Sequence, residues 1–116
     1  MTKNTKPNLL FVCAGNIQRS KSFEHWFIKN RSDKYNIRSA GINHGYPYQI
    51  NHKQIDDTLE WANYVYVMDI TQEMFIAKRF PEYMGKVTTI GISDQYEPDC
   101  EEIIEAIEYW TKKYQL

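Results

Sequence analysis

The feature that most constrains the fold is a regular alternation between short apolar runs and segments with helical spacing. Residues 8–12, 35–38, 64–68 and 86–92 have the apolar, β-branched or aromatic character of strands. Segments with helical spacing separate these runs, and one more follows the last run. Such an alternation favours a parallel sheet covered on both faces and joined by right-handed crossovers. The sequence therefore predicts an α/β fold: a single doubly wound domain with a four-stranded parallel sheet flanked by helices.

Chain length and composition predict one globular domain over residues 1–116. Apolar residues make up 42% of the chain and aromatic residues 15%, which argues against disorder and supplies one core. No apolar run approaches the roughly 18 residues of a membrane span, and the N-terminal MTKNTKPN lacks the apolar stretch of a signal peptide. These features predict a protein that does not enter membranes.

The charge and the cysteine content of the chain limit its expected binding partners and its expected cellular location. The chain has 14 Lys and Arg against 15 Asp and Glu, so its net charge of −1 gives no basis for non-specific nucleic-acid binding. Two cysteines, Cys13 and Cys100, cannot make a disulfide framework, which predicts a reducing cytoplasm as the location. None of the three histidines has metal-ligand spacing with the cysteines, so we expect no metal and no cofactor.

The residues with the clearest chemistry follow the first predicted strand, in the sequence CAGNIQRS at 13–20. Cysteine, five residues, then arginine and serine is the C-x5-R-S signature of cysteine-dependent phosphatases. A tight loop between a strand and a helix turns successive backbone N–H groups toward one point and makes an anion site. The residues predicted to bind phosphate in this way are Ala14, Gly15, Asn16, Ile17, Gln18 and Ser20.

Three side chains of this loop have predicted catalytic roles. Cys13 faces the loop amides and Arg19, so it would attack phosphorus as a thiolate. Arg19 would fork onto two phosphoryl oxygens, a geometry that lysine cannot reproduce. The Ser20 hydroxyl would donate to the thiolate sulfur or help the thiol leave in the second step.

A phosphatase of this kind also needs a proton donor for the leaving group. Asp94 follows the fourth predicted strand and is the favoured general acid. Asp99 is the alternative acid, although its place before the last helix suggests an N-cap. Asp69 also ends a strand at the same edge, and we expect helix capping or loop support there. Tyr96, close to Asp94, is predicted to be an aromatic wall of the substrate site.

The pattern CAGNIQRS, then RSAGI, LEWANYVYVMD, RFPEYMGKV and IGISDQYEP, resembles the low-molecular-weight protein tyrosine phosphatase family over almost the whole chain. It is similar to a short subgroup of predicted tyrosine phosphatases of about this length. The resemblance implies a four-stranded parallel sheet, a phosphocysteine intermediate and hydrolysis of phosphotyrosine.

The resemblance also implies roles for individual residues, namely a nucleophile at Cys13, a phosphate-binding arginine at Arg19, a loop-shaping Asn16, a hydroxyl near the thiolate at Ser20, a loop-supporting Ser39 and a general acid at Asp94. Three positions depart from the family pattern. Gln18 stands where many members have a second cysteine, so that route to a protective disulfide is absent. Lys21 replaces a common proline, and Gln95 replaces the proline after the acid.

Three functions are compatible with these residues. The first is a cysteine-dependent phosphomonoester hydrolase, a protein tyrosine phosphatase that acts on a phosphotyrosine protein or a small aryl phosphate and releases inorganic phosphate. The second is an arsenate reductase, which would need further resolving cysteines or an external thiol, whereas this chain offers only Cys100. The third is a catalytically weak module that binds phosphate or phosphotyrosine.

Overall fold

The fold is built on a parallel sheet whose four strands are crossed by helices in alternation. A computed structural model describes residues 6–14, 19–42, 52–92 and 99–116. The strands, all parallel and in the spatial order β2-β1-β3-β4, are β1 Asn8–Cys13, β2 Asn36–Gly41, β3 Tyr64–Val67 and β4 Val87–Thr89. The helices are α1 Arg19–Arg31, α2 His52–Trp61, α3 Ile70–Arg79 and α4 Glu101–Lys113, and a 3₁₀ helix spans Pro81–Lys86. The predicted fold class, a four-stranded parallel sheet flanked by helices, is confirmed.

Strand β1 is the centre of the structure because both of its faces are covered. Leu10 and Val12 point to one layer, where α2 and α3 pack through Ile55, Leu59 and Ile76. The alternate residues Leu9, Phe11 and Cys13 point to the other layer and pack against α1 and α4, through Phe23, Phe27, Ile103, Ile107 and Trp110. The continuous apolar run of β1 is thus the pattern expected of a strand buried on both faces.

The layer under Cys13 is strongly aromatic. The Phe11 ring centroid lies 4.9 Å from that of Phe27 and 5.2 Å from that of Phe23. These two α1 residues are fully buried, whereas Trp26 is only partly buried. Burying a large apolar side chain contributes about 1.5–3 kcal/mol each. The packing therefore fixes α1, and with it the first turn after the Cys13 loop, against the end of β1.

The fourth strand is shorter than the sequence predicts, with residues 87–89 in place of 86–92. The chain turns away at Gly91, which has a φ of 86°, in the left-handed region that glycine adopts without strain. The Gly91 and Ile92 N–H groups both donate to the Met68 carbonyl, at 2.9 Å each. The chain thereby stays close to the end of β3 after it leaves the regular ladder.

Because the strands are parallel, their carboxyl ends meet at one edge of the sheet. Cys13 ends β1, Asp69 lies two residues after the end of β3, and Ile92 lies three residues after the end of β4. The topology therefore brings together the three chain segments for which the sequence predicts chemistry. Among the described residues, no helix is both long enough and apolar enough to cross a membrane.

Candidate active site

The Cys13 side chain is held against the first turn of α1. Cys13 is the last residue of β1 and is 3% exposed, and its Sγ lies 2.9 Å from the Oγ of Ser20, which is fully buried. Either atom can be the donor of this hydrogen bond. When the sulfur is a thiolate, the hydroxyl must donate, because a thiolate has no proton to give. The structure thus shows the Ser20–Cys13 contact that the sequence predicted.

The Arg19 side chain crosses from α1 to the ends of two other strands. Arg19 is 7% exposed, and its Nη1 donates to Asp69 Oδ2 at 2.8 Å and to the Ile92 carbonyl at 2.9 Å. A guanidinium has five N–H donors, and these two bonds use the two on Nη1. Among the described residues, the hydrogen bonds of Arg19 involve Nη1 alone, so the Nε–Nη2 edge is available to an external anion. That edge is the one that forms a two-point fork with phosphoryl oxygens.

Asp69 is both a helix cap and the counter-ion of Arg19. Its Oδ1 accepts the Thr71 N–H at 2.8 Å, and the Gln72 side chain accepts the Asp69 N–H at 2.9 Å, which completes a capping box at the start of α3. Its other oxygen, Oδ2, holds Arg19. The predicted role of Asp69 in capping or loop support is borne out by these bonds.

Electrostatics favour the charged form of Asp69. Partial burial by itself raises the pKa of this carboxyl, but hydrogen bonds from Arg19 and from the Thr71 N–H outweigh it and hold the pKa below the ordinary value. Asp69 therefore stays ionised at neutral pH and places a negative charge next to the Arg19 guanidinium.

The contact between Arg19 and Asp69 was missed by the sequence reasoning. The two residues are 50 positions apart in the chain and meet only because β3 lies directly beside β1. A signal was nonetheless present. A buried arginine in the first turn of the helix that follows a parallel strand needs a charge partner, and an aspartate follows the most strand-like run of the chain, at 64–68.

The variant Asp69→Asn separates the two roles of this residue. Asparagine is as good an N-cap as aspartate, so α3 should keep its start, while the charge behind Arg19 is lost. We expect kcat/KM for an aryl phosphate to fall by about tenfold, because misplacement of a phosphate-binding group weakens transition-state stabilisation. Steady-state hydrolysis and far-UV circular dichroism measure the two effects. Asp57→Asn, which removes an exposed carboxylate on α2, is the matched control.

The lowered pKa of Asp69 also predicts a dependence of stability on acid. A carboxyl whose pKa is lower in the folded protein contributes stability that is complete above its unfolded-state pKa and is lost as the pH falls through the folded-state pKa. The difference in melting temperature between the parent and Asp69→Asn should therefore be constant above about pH 5 and shrink as the pH falls below the ordinary Asp value of 3.8. A difference in melting temperature that does not change with pH would show that the Asp69 charge does not stabilise the fold.

Several predicted site residues lie outside the described residues. They are Gly15, Asn16, Ile17 and Gln18 of the phosphate loop, and Asp94 and Tyr96 of the segment after β4. Their assigned roles stay predictions. Ala14, which is described, is half-buried directly after Cys13.

Ser39 lies on β2 beside α1, and its hydroxyl donates to Glu24 Oε1 at 2.8 Å. The same oxygen accepts a hydrogen bond from Lys21 at 3.0 Å. In the part of the chain that the structure describes, Ser39 thus bonds to the second turn of the helix that follows the loop. Direct support of the loop by Ser39 stays a prediction.

The expectation that Asp99 caps the last helix is wrong. The N-cap of α4 is Cys100, in an extended conformation, whereas Asp99 has a φ of 55°. An N-cap residue needs extended backbone, so the left-handed Asp99 cannot fill that position. Its carboxylate meets His25 Nδ1 at 3.0 Å instead.

That carboxylate also lines a groove of about 470 Å³ between α1 and α4. The groove is lined, among the described residues, by His25, Trp26, Lys29, Asn30, Asp99, Ile104 and Glu108, and by none of the described phosphate-site residues. No candidate metal site is present in residues 6–14, 19–42, 52–92 and 99–116, because no three His, Cys, Asp or Glu side chains cluster there as a metal site would require.

Solved structures share this fold over nearly their full length. The tyrosine phosphatase Wzb from Escherichia coli K30 in complex with phosphate superposes with a TM-score of 0.71 and 19% identity, covering 95% of this chain and 96% of that one. The low-molecular-weight protein tyrosine phosphatase from T. tengcongensis gives 0.66 and 22%, covering 92% and 94%. The YwlE arginine phosphatase from Geobacillus stearothermophilus gives 0.66 and 20%, covering 94% and 93%.

No protein-family model and no curated protein sequence matches the chain. At identities below 25%, the similarity to the solved structures is one of fold. That fold is the one of the low-molecular-weight protein tyrosine phosphatases, as the resemblance of the sequence predicted.

Proposed function

We propose that the protein is a metal-independent, cysteine-dependent phosphatase that hydrolyses phosphotyrosine in a protein or peptide and releases inorganic phosphate. The observation that carries this proposal is the geometry at the end of β1. The Cys13 sulfur lies 2.9 Å from the Ser20 hydroxyl, and Arg19, on the same first turn of α1, is fixed by Asp69. A nucleophile, a hydrogen-bond donor to it and an anchored cation thus occupy one strand-to-helix junction. The phosphatases that share the fold support the same chemistry.

The first step is attack of the Cys13 thiolate on phosphorus. A sulfur–phosphorus bond forms as the bond from phosphorus to the leaving-group oxygen breaks, and that oxygen takes a proton from the general acid, which we assign to Asp94. Arg19 and the amides of the loop at 14–18 stabilise the charge on the equatorial oxygens. The product of this step is phosphocysteine and a neutral phenol.

The second step hydrolyses the phosphocysteine. Asp94, now ionised, removes a proton from water as the water oxygen attacks phosphorus, and the sulfur leaves as a thiolate. The buried Ser20 hydroxyl, 2.9 Å from that sulfur, donates to the departing thiolate. Because side chains and loop amides of the protein stabilise every charge in the assigned steps, the proposed cycle has no step for a metal. A thiolate nucleophile also requires reducing surroundings, which supports the cytoplasm as the proposed location.

The assignment of the acid predicts a leaving-group effect in Asp94→Asn. A good leaving group such as p-nitrophenolate departs without full protonation, whereas phenolate needs the proton. General acid catalysis typically contributes about 10²–10⁴-fold, so hydrolysis of phenyl phosphate should fall by roughly that factor and hydrolysis of p-nitrophenyl phosphate by much less. Asp99→Asn is the matched control, because the Asp99 carboxylate is paired with His25. The same selective loss in Asp99→Asn, with a normal Asp94→Asn, would reverse the assignment.

A second substrate class is favoured by one observation, the shared fold of the YwlE arginine phosphatase. In phosphoarginine the leaving atom is a guanidinium nitrogen rather than a phenolic oxygen, so the acid protonates nitrogen. Competing hydrolysis of a phosphotyrosine peptide and a phosphoarginine peptide of the same sequence, with chelator present, tests the proposal. Faster phosphotyrosine turnover supports it, and faster phosphoarginine turnover assigns an arginine phosphatase.

The remaining alternatives, a binding module and an arsenate reductase, need a phosphate-binding assay and an arsenate-reduction assay beside this experiment. A folded, reduced protein that binds phosphate and hydrolyses neither peptide would be a binding module. Arsenate reduction that depends on Cys100 would identify a reductase, which needs that thiol as its resolving partner. Within the described residues, neither Cys13 nor Cys100 forms a disulfide.

A further inference from the structure

Both hydrogen-bond acceptors of Arg19 are tied to Met68, the residue that follows β3. Met68 is fully buried, and its N–H donates to the Val12 carbonyl of β1 at 2.9 Å. Asp69, the first acceptor, is the next residue of the chain. Ile92, whose carbonyl is the second acceptor, donates its own N–H to the Met68 carbonyl at 2.9 Å. The end of β3 therefore sets the spacing of the two acceptors.

The two acceptors together determine how the Arg19 guanidinium is oriented. Its two Nη1 hydrogens diverge within the plane of the group. Each of them meets a different acceptor, Asp69 Oδ2 at 2.8 Å and the Ile92 carbonyl at 2.9 Å, so both the plane and the rotation of the group within that plane are set. The Nε–Nη2 edge, which we assign to phosphate, lies opposite Nη1. A displacement of either acceptor therefore turns the phosphate-binding edge.

A left-handed turn at Gly91 brings the Ile92 carbonyl to Arg19. Gly91 has a φ of 86°, and its N–H donates at 2.9 Å to the same Met68 carbonyl that accepts the Ile92 N–H. Among the described residues, no atom lies within 4 Å of the position that a Cβ on Gly91 would take. Space therefore does not require glycine here. The backbone does, because a residue with a Cβ rarely adopts this φ.

We propose that Gly91 is a positioning residue for Arg19, whose left-handed turn places the Ile92 carbonyl on Nη1 and thereby orients the edge of the guanidinium that binds phosphate. The inference rests on the part of the proposed function in which phosphate binds to Arg19. It does not depend on which residue is the general acid. Gly91 has no side chain to offer the substrate, so it acts only through the path of the backbone.

Gly91→Ala should weaken phosphate binding and slow hydrolysis together. Alanine adds no clash with the described residues but disfavours the positive φ, so the turn relaxes and the Ile92 carbonyl moves away from Nη1. Because small misplacements of a positioned group are costly, we expect kcat/KM for p-nitrophenyl phosphate to fall by about tenfold and the inhibition constant Ki of inorganic phosphate to rise by about fivefold. Gly91→Ser, which has the same restriction on φ, should show both changes. Ki is the deciding quantity since, unlike kcat, it does not depend on the fraction of the protein that is folded.

Two variants separate the effect of the backbone torsion from that of an added side chain. Asparagine tolerates a positive φ better than most residues with a Cβ, so Gly91→Asn should keep Ki within about twofold of the parent value. Gly85→Ala is the matched control, because Gly85 lies in the 3₁₀ helix, has no positive φ, and offers the same open space to a Cβ among the described residues. Gly85→Ala should leave both Ki and kcat/KM at their parent values.

A second substrate distinguishes an effect on Arg19 from an effect on the general acid. Hydrolysis of phenyl phosphate depends on protonation of the leaving group more strongly than hydrolysis of p-nitrophenyl phosphate does. A misplaced Arg19 lowers kcat/KM for both substrates by the same factor, so the ratio of the two values should stay at that of the parent. A changed ratio at a parental Ki would assign the effect of Gly91 to proton donation and overturn the inference.

The outcomes with an active parent decide the positioning role alone. If Gly91→Ala and Gly91→Ser keep the parental Ki, the role is refuted while the proposed function stands. A Ki that rises as much in Gly91→Asn as in Gly91→Ala refutes the role as well, because the torsion is then not the cause. A Ki that rises in Gly91→Ala and Gly91→Ser but stays near the parent value in Gly91→Asn and Gly85→Ala establishes it.

The outcomes with an inactive parent separate the inference from the proposed function. Isothermal titration calorimetry then replaces Ki by the dissociation constant of inorganic phosphate, which needs no turnover. If the parent binds phosphate but hydrolyses neither substrate, the proposed function is refuted, and the same pattern among the variants still establishes the positioning role. If the parent does not bind phosphate, both are refuted.

Discussion

Replacing Cys13 with serine or alanine should abolish phosphatase turnover, with kcat for p-nitrophenyl phosphate falling on the order of 10⁴- to 10⁶-fold, the range seen when a nucleophile is removed. The cause is chemical rather than structural. A serine hydroxyl is not ionised at neutral pH and has no neighbouring base in the assigned mechanism, and alanine has no nucleophile at all. A continuous assay with chelator and a thiol reductant measures the loss.

The fold around Cys13 should survive both changes. Serine is close to cysteine in size, and at 2.9 Å from Sγ the Ser20 hydroxyl can still hydrogen-bond to an oxygen there. The Arg19 edge that we assign to phosphate is also unchanged, so inorganic phosphate should still bind, as isothermal titration calorimetry can show. Alanine is the cleaner of the two variants, because a serine oxygen can accept the phosphoryl group slowly whereas alanine has no oxygen to do so.

Cys100 provides the matched control for this prediction. It is the other cysteine of the chain, half-buried at the start of α4, and makes no side-chain capping bond there. Cys100→Ser should retain turnover close to that of the parent. Loss of activity in Cys100→Ser together with normal activity in Cys13→Ala would exclude Cys13 as the nucleophile and would indicate Cys100, at the start of α4, instead.

The sequence was sufficient to predict what depends on local pattern. The strand at 8–12 is a continuous apolar run, and the next helix places Phe23 and Phe27 on one face, so the junction that contains Cys13 and Ser20 could be located before any coordinates. The parallel sheet followed from the alternation of elements. These predictions use the length of an apolar run, the helical period of 3.6 residues and the order of the elements, all of which are local in the sequence.

The parts that the sequence did not predict depend on strand order and on single backbone torsions. Arg19 meets Asp69 because β3 lies beside β1, a neighbour relation that no local pattern contains. The last strand stops early because Gly91 turns with a positive φ. Asp99 was expected to be a cap because aspartate favours that position, yet its left-handed conformation moves the cap to Cys100.

The substitution Arg19→Lys should lower kcat/KM for aryl phosphates by about 10²–10³-fold, the cost of losing a preorganised oxyanion donor. Because lysine keeps the positive charge, the fall in kcat/KM measures the contribution of the guanidinium geometry. Arginine holds Asp69 and the Ile92 carbonyl with Nη1 and keeps a second edge for phosphate, whereas lysine has one nitrogen for all of these partners. The lysine nitrogen must therefore leave either the carboxylate or the phosphate.

A double-mutant cycle with Asp69→Asn tests this competition directly. In the Asp69→Asn background the lysine is released from its carboxylate partner, so the further loss caused by Arg19→Lys should be smaller than in the parent, with the two effects sub-additive. Arg38→Lys, which alters an arginine stacked on Trp61 away from this junction, should leave kcat/KM unchanged. Near-parental activity of Arg19→Lys would show that the site uses Arg19 as a point charge. Strict additivity in the cycle would show instead that the bond from Arg19 to Asp69 does not govern how Arg19 binds the phosphate.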